Sequence, residues 1–406
     1  MVGLFGGTCN NMYVFSKALV HWGVPTTFIL DRKDNFPHSQ PVWEDVDCCF
    51  EAGFDHFDID WEAFETKYQW EKPSWLFIPE ESTDGYKKVR RLSPRNIVIR
   101  FVGSQYLRSR NESLSIFIKM MECDFLIVCG VFPAIIAFLT GKPYMIFPHG
   151  SEIRIAIGVQ SKGRGIKSKI IEWLLLQSFK NAVSIGSPLP DGSAEVKRSE
   201  YRRLKDLKID RIPTPYIFKG RLGKATRKNR LNELFEGLNL YLPNAEFYAF
   251  TPSRINFFWK GHDRLLSAIA ANREKLNIHF IFVGWGDDHD NAVDYTVRHS
   301  IEGNITIIPA FFSKGLLFRF FEAVDFIIDE FNGSGSYGTG LSEAMSRGCP
   351  VVTWISDMFD NAGWEKPPVI HARTEEDMIK VIRKISSNDI NLDEYSDKTS
   401  RWFQRT

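Results

Sequence analysis

Short apolar runs recur along the chain, each followed by a turn rich in small or polar residues and then by a segment with helical apolar spacing. Val2 to Phe5 is the first run. Gly6 to Asn11 is a turn, Met12 to Trp22 has the spacing of a helix closed by Gly23, and Thr26 to Leu30 is the next strand. A β-α-β opening of this kind implies a parallel sheet. Further along the first half, strands are expected at Trp75 to Pro79, Asn96 to Val102, Phe125 to Cys129, Pro143 to Phe147 and Ala182 to Ile185, with helices at Ser113 to Met121 and Phe132 to Thr140. The second half repeats the alternation. Strands are expected at Phe247 to Phe250, His279 to Val283, Ile305 to Ile308, Phe326 to Ile328 and Val351 to Thr353. Helices are expected at Arg264 to Ala271, Lys314 to Ala323 and Glu375 to Ile385, with a short one at Tyr395 to Phe403. The pattern predicts an α/β chain made of two unlike Rossmann-like, doubly wound halves. The first spans 1–215, a linker 216–243, the second 244–385, and a tail 386–406 is expected to pack back toward the first half.

Composition narrows this reading little. The 406 residues carry a formal net charge of +1, which gives no nucleic-acid signature. The six cysteines form no CxxC pair and no zinc spacing, so reduced thiols in a reducing compartment are expected and no metal site is. The N-terminus lacks the basic start of a signal peptide. Phe125 to Thr140 is apolar but short for a membrane span and contains Gly130 and Pro133, which fits a buried strand, turn and helix. Residues 34–75, acidic and aromatic, read as a surface segment; Asp55, His56, Asp58 and Asp60 lack regular ligand spacing. Between Gly163 and Lys180, basic residues flank Ile170, Ile171, Trp173 to Leu176 and Phe179. That segment fits either a helix lying on an anionic membrane surface or a core helix with basic ends. The basic runs Lys197 to Arg211 and Lys219 to Arg230 extend the same basic surface.

The candidate chemistry concentrates in Asp325 to Trp354. Asn332 to Gly340 holds four glycines before a short helix in which Leu341, Ala344 and Met345 share a face, and Gly348 with Pro350 stops it. Such a loop can bring backbone N–H groups to an anion, with Glu343 a turn further on facing sugar hydroxyls; it can equally be a surface loop before an ordinary helix. Upstream, Arg254 and Lys260 precede a helix, and Gly284-Trp285-Gly286 follows a strand. In the first half, His149-Gly150-Ser151-Glu152-Ile153-Arg154 lies at the end of a parallel strand, where open α/β sheets bind ligands, or is a capped helix start.

Taken together, these pieces resemble the retaining glycosyltransferases of the GT-B fold, in particular their family 4. Pro252-Ser253-Arg254 with Lys260-Gly261-His262-Asp263 is similar to the family's phosphate-binding Arg…Lys-Gly pair. Tyr337-Gly338 through Leu341-Ser342-Glu343-Ala344-Met345 and Gly348-Cys349-Pro350-Val351-Val352 is similar to its most specific motif, and the His149 segment to its His-Gly-Ser-acid-x-Arg. The likeness covers about 250–355 and, locally, 145–155. It implies two Rossmann-like domains facing across a cleft. It also implies transfer of a sugar from a nucleoside diphosphate sugar to a saccharide or lipid-linked acceptor, as in cell-envelope or surface polysaccharide synthesis. Arg254, Lys260 and His149 would be catalytic, and Gly284, Gly338, Thr339, Gly340 and Glu343 would hold the nucleotide and phosphates. Gly7, Asn10, Glu152 and Arg154 would lie on the acceptor side. No cofactor or metal is implied beyond the sugar nucleotide, and the place is cytoplasmic, at most peripheral on the inner face of the membrane. The family's motif carries two glutamates separated by seven residues; the second matches Glu343 and the first falls on Gly335. A subgroup with an upstream Asp-Gln pair also has glycine there, and Asp329-Glu330 resembles that pair, so Asp329, Glu330 or Asn332 would replace the missing carboxylate. A sugar-nucleotide 2-epimerase of the same fold and a non-catalytic nucleotide-binding protein are the alternatives.

Overall fold

The computed structural model describes the chain except residues 8–9, 32–35, 52–58, 82–96, 109–110, 149–151, 153–154, 156–164, 188–208, 213, 333–334, 336–337, 362 and 406. The strands, in chain order, are β1 (Val2–Phe5), β2 (Thr26–Ile29), β3 (Cys49–Glu51), β4 (Leu76–Phe77), β5 (Phe125–Val128), β6 (Tyr144–Ile146), β7 (Ser184–Ser187) and β8 (Ile209–Arg211). They continue with β9 (Phe247–Thr251), β10 (Ile278–Val283), β11 (Ile305–Ile308), β12 (Ala310–Phe312), β13 (Phe326–Ile328), β14 (Val351–Thr353) and β15 (Ile370–His371). Two compact units result: 1–44 with 56–215, and 45–55 with 216–406.

The first unit is built on a parallel sheet of order β4-β2-β1-β5-β6-β7-β8. Both faces of the sheet are covered, because alternate residues of one strand feed different cores. Phe5, Leu126 and Val128 join one cluster, whereas Leu4 and Ile127 join the other. The winding reverses between β1 and β5, so the turn after Phe5 and that after Val128 open at the same edge.

Two expectations change here, and one open alternative closes. The run expected as a strand at Asn96 to Val102 is the helix Ile97–Leu107. Its apolar residues do not alternate, and such a run is equally compatible with a buried helix. That helix lies so close to the helix Val131–Thr140 that a Cβ on Gly103 would stand 2.5 Å from Leu139 Cδ2. The stretch 34–75 is a surface segment only in part: Val42, Trp43 and Phe64 are buried, with Trp43 fully enclosed, whereas Glu62, Thr66, Lys67, Glu71 and Lys72 are exposed, and Asp55, His56 and Asp58 lie outside the described residues. In the helix Ile166–Asn181, Leu174, Leu175 and Phe179 are buried and Trp173 packs against the same core. The aromatic side that pointed to a membrane faces the protein, leaving Ile166, Lys167, Lys169 and Ile170 exposed near the first turn.

The second unit has a parallel sheet of order β11-β10-β9-β13-β14-β15. The winding reverses between β9 and β13, and ligands of open α/β sheets bind beyond the carboxyl ends of the strands at such a reversal. The short antiparallel pair β3–β12 also belongs to this unit; Ser313 Oγ donates to Val46 O at 2.7 Å and accepts from Cys48 N–H at 2.9 Å.

Residues 216–243, expected as a linker, hold the helix Lys224–Gly237, whose Leu231, Leu234 and Phe235 are buried and which packs on the helix Lys314–Ala323. Nor are its basic residues a free basic surface. Arg227 pairs with Asp325 at 2.9 Å, Arg230 pairs with Glu322, and Arg221 donates to the Asp325 carbonyl at 2.5 Å. The tail forms the helix Leu392–Arg405, and its described partners lie in the second unit: Ser396 Oγ donates to Gly348 O at 2.7 Å, and Phe403 stacks on Phe218. Among the described residues no helix is long and apolar enough to cross a membrane.

Candidate functional site

The reversal between β9 and β13 gathers the loop after Thr251 and the loop after Ile328, which carry most of the residues singled out from the sequence. The first loop is held rigidly. His262 is buried; its Nδ1 accepts from Asn256 N–H at 3.2 Å and its Nε2 lies 3.4 Å from Ser253 Oγ. Burial holds its pKa down to about 4, so it is neutral near pH 7. Ile255 N–H donates to Trp285 O at 2.7 Å. A Cβ on Gly286, which has φ +117°, would lie 2.4 Å from Ile255 O. Gly284 N–H is committed to Ile308 O at 2.7 Å. The Gly284-Trp285-Gly286 turn therefore acts on the site by seating residues 254–256 against it.

Arg254 projects from this loop and is exposed. Lys260, half-buried, ends the short helix Phe257–Lys260. That helix is clamped at both ends. Asn256 Oδ1 accepts from Trp259 N–H at 2.6 Å, Asp288 Oδ2 accepts from Phe257 N–H at 2.8 Å, and Asn332 Nδ2 donates to Phe257 O and Phe258 O, each at 3.0 Å. Asn332, expected near a sugar, has its amide nitrogen committed to this clamp.

Lys260 Nζ forms an ion pair with Glu330. Burial opposes the lysine's charge, and the carboxylates of Glu330 and Asp329 outweigh it, so its pKa stands above the ordinary lysine value; the charge of Arg254 is near enough to oppose it. Asp329 is pushed up to about 6 by burial and by the negative charge of Glu330, with Glu343 adding in the same sense. Asp329, Glu330, Lys260, Arg254 and Glu343 thus form one electrostatic cluster at the carboxyl edge of the sheet.

Glu343 stands in the helix Thr339–Met345 and is only 2% exposed. Its Oε1 accepts from Lys314 Nζ at 2.6 Å and from Tyr216 Oη at 3.0 Å. Neither partner was signalled by the sequence, since both lie far from Glu343 along the chain and no motif joins them. At the helix entry, a Cβ built on Gly338 or Gly340 meets nothing within 4 Å, so that face of the backbone is open.

Gly335, where the resemblance would put a first glutamate, has no room for a side chain. It has φ +72°, and a Cβ there would lie 2.4 Å from Trp354 Cζ3 and 2.7 Å from Ser356 Cβ. Trp354 cannot retreat easily: its Nε1 donates to Phe331 O at 3.0 Å, and the Arg373 guanidinium sits 4.5 Å from its ring centre. Gly335→Ala combines a left-handed backbone with an overpacked contact, and should cost about 2–4 kcal/mol of stability in denaturant titration. A cost below about 0.5 kcal/mol would contradict this account.

In the first unit, Gly7 and Asn10 stand at its own reversal, after β1. Asn10 is buried in a left-handed conformation; its N–H donates to Gly7 O at 2.9 Å and its Nδ2 donates to Gln40 O at 2.9 Å. Glu152 is buried and accepts from Cys129 Sγ at 3.8 Å. His149 and Arg154 lie outside the described residues. Among the described residues, no group of three or more His, Cys, Asp and Glu side chains is arranged to hold a metal ion.

No family model matches the chain, and no curated protein matches it in sequence. Solved structures do match in fold. Sucrose-phosphate synthase from Thermosynechococcus elongatus is 12% identical with a TM-score of 0.59, the match covering 100% of this chain and 94% of that one. HepE of Anabaena, in complex with UDP-glucose, is 10% identical with a TM-score of 0.59, over 100% and 94%. The catalytic domain of starch synthase IV from Arabidopsis thaliana, bound to ADP and acarbose, is 11% identical with a TM-score of 0.58, over 98% and 94%. The likeness establishes the fold: an α/β chain with two doubly wound parallel sheets, the architecture of GT-B glycosyltransferases.

Proposed function

We propose that the protein is a retaining, metal-independent glycosyltransferase. It moves a sugar from a nucleoside diphosphate sugar to a saccharide or lipid-linked acceptor in cell-envelope or surface polysaccharide synthesis. The observation that carries the reading is the pair of cations, Arg254 and Lys260, fixed beyond the carboxyl ends of the strands where the second sheet reverses. The backbone at Gly338 and Gly340, at the entry of the helix that carries Glu343, is open. The fold-level neighbours support the donor class: HepE is described with UDP-glucose and the starch synthase with ADP.

The chemistry demands such a site. Breaking the bond from the sugar's anomeric carbon to the diphosphate oxygen leaves negative charge on the diphosphate, and fixed positive groups lower that barrier most. Arg254 and Lys260 would take the growing charge. The acceptor oxygen bonds to the anomeric carbon on the face the diphosphate leaves, and its proton passes to a departing phosphate oxygen. Glu343, held by Lys314 and Tyr216, would receive the ribose hydroxyls.

Incubation with UDP-, GDP- and ADP-sugars in turn is expected to release free sugar and nucleoside diphosphate slowly from one donor class, with the released sugar retaining the donor's anomeric configuration. Release from none of them would sink the transferase reading. An epimerised donor without release would transfer the fold to an epimerase.

A further inference from the structure

The missing glutamate at Gly335 and the ion pair on Lys260 have a common explanation. Trp354 and Ser356 close the space into which a side chain at 335 would grow. On the transferase reading, a carboxylate facing the donor sugar would come from elsewhere, and the cluster beside Lys260 holds two, Asp329 and Glu330. They differ in reach. Asp329 lies directly at the strand end, its N–H bonded to Val352 O at 3.1 Å. Glu330 has the longer side chain, and the backbone around it is fixed on both sides: its carbonyl accepts from Thr353 Oγ1 at 2.9 Å, and the next N–H, of Phe331, donates to Lys260 O at 3.0 Å. Only its side-chain torsions remain to move, and its carboxylate rests on the half-buried Lys260 ammonium. Asn332 does not compete for the role, because its amide clamps the helix Phe257–Lys260.

Resting on the transferase reading, we propose that Glu330 is a displaceable counterion of Lys260 that becomes the donor-sugar specificity residue once the diphosphate takes its place. A diphosphate carries more negative charge than one carboxylate and binds Arg254 as well, so it wins the lysine. The released Glu330 then stands beside the phosphate to which the sugar is attached, with both oxygens free to accept hydrogen bonds from sugar hydroxyls. Nucleotide without sugar gains nothing from this second step and bears the full cost of breaking the pair. The intact sugar nucleotide recovers that cost.

Calorimetric titration of wild type and Glu330→Gln with UDP, GDP and ADP separates the two steps. The variant should bind the recognised nucleoside diphosphate about tenfold more tightly than wild type, a shift of ordinary ion-pair size. Turnover of the matching sugar nucleotide should fall at least about tenfold, since the sugar has lost a charged acceptor. A wild type that binds no nucleoside diphosphate overturns the transferase reading and this inference with it. A wild type that binds one, with a folded Gln variant binding it no more tightly, overturns the inference alone. Should the Gln variant not fold, Glu330→Asp, too short to keep the contact with Lys260, is read by the same titrations, and an unchanged nucleotide affinity there overturns it equally.

Discussion

Lys260→Ala should lower turnover about 10²–10³-fold, the usual loss when one charge-stabilising donor is taken from a leaving group. The lysine is half-buried and ion-paired, and its pKa stands above the ordinary value, so it carries its charge throughout the physiological range. Arg254 remains in the variant but is exposed, and water screens its charge more. Glu330 and Asp329 would be left without a cation against them, which makes the pocket less hospitable to a diphosphate. Turnover and nucleoside diphosphate affinity should be measured separately. Turnover equal to wild type would remove Lys260 from the leaving-group role, whereas weakened binding at unchanged turnover would leave it as a ground-state contact.

Arg227→Ala should cost about 3–5 kcal/mol of stability, the range for breaking a buried ion pair from one side. Arg227 is 5% exposed; its Nη2 pairs with Asp325 Oδ1 at 2.9 Å and its Nη1 donates to Leu222 O at 2.7 Å. The other Asp325 oxygen accepts from Tyr248 N–H at 2.9 Å. Asp325 precedes β13 and Tyr248 is the second residue of β9, so the pair ties together the two strands that flank the reversal, at their amino ends. Truncation leaves a buried carboxylate with one hydrogen bond. The denaturant midpoint should drop sharply while turnover per folded molecule stays near wild type, because the residue lies at the opposite edge of the sheet from Lys260. A loss below about 1 kcal/mol would show the pair to be replaceable by water.

Features set by local chemistry were legible in the sequence. Phe326–Ile328, Thr339–Met345 and Val351–Thr353 follow from short apolar runs, helical spacing and the stop at Gly348, which has φ +65°. Arg254 and Lys260 stand out through the resemblance of Pro252-Ser253-Arg254 and Lys260-Gly261-His262-Asp263 to a phosphate-binding pair, a likeness that needs only sequence order. Features set by distant partners were not legible. The helix Lys224–Gly237 looked like a linker because only a few of its residues are apolar, and the partner that allows Arg227 to be buried is Asp325. Lys314 and Tyr216 meet Glu343 only after folding. Gly335 stands out in the sequence only against the motif it resembles, and only the packing of Trp354 and Ser356 shows that a side chain there is excluded.

The β3–β12 pair has a consequence for the order of synthesis. Cys49–Glu51 leaves the ribosome long before Ala310–Phe312, the strand it pairs with, and Val46 and Cys48 likewise precede Ser313. The second unit therefore cannot be completed from the later part of the chain alone. Its earliest piece must stay unpaired while the rest of the first unit is made, a wait that slows folding through long-range contacts. A fragment starting at Tyr216 begins without that piece, so one cut does not separate the chain into its two units.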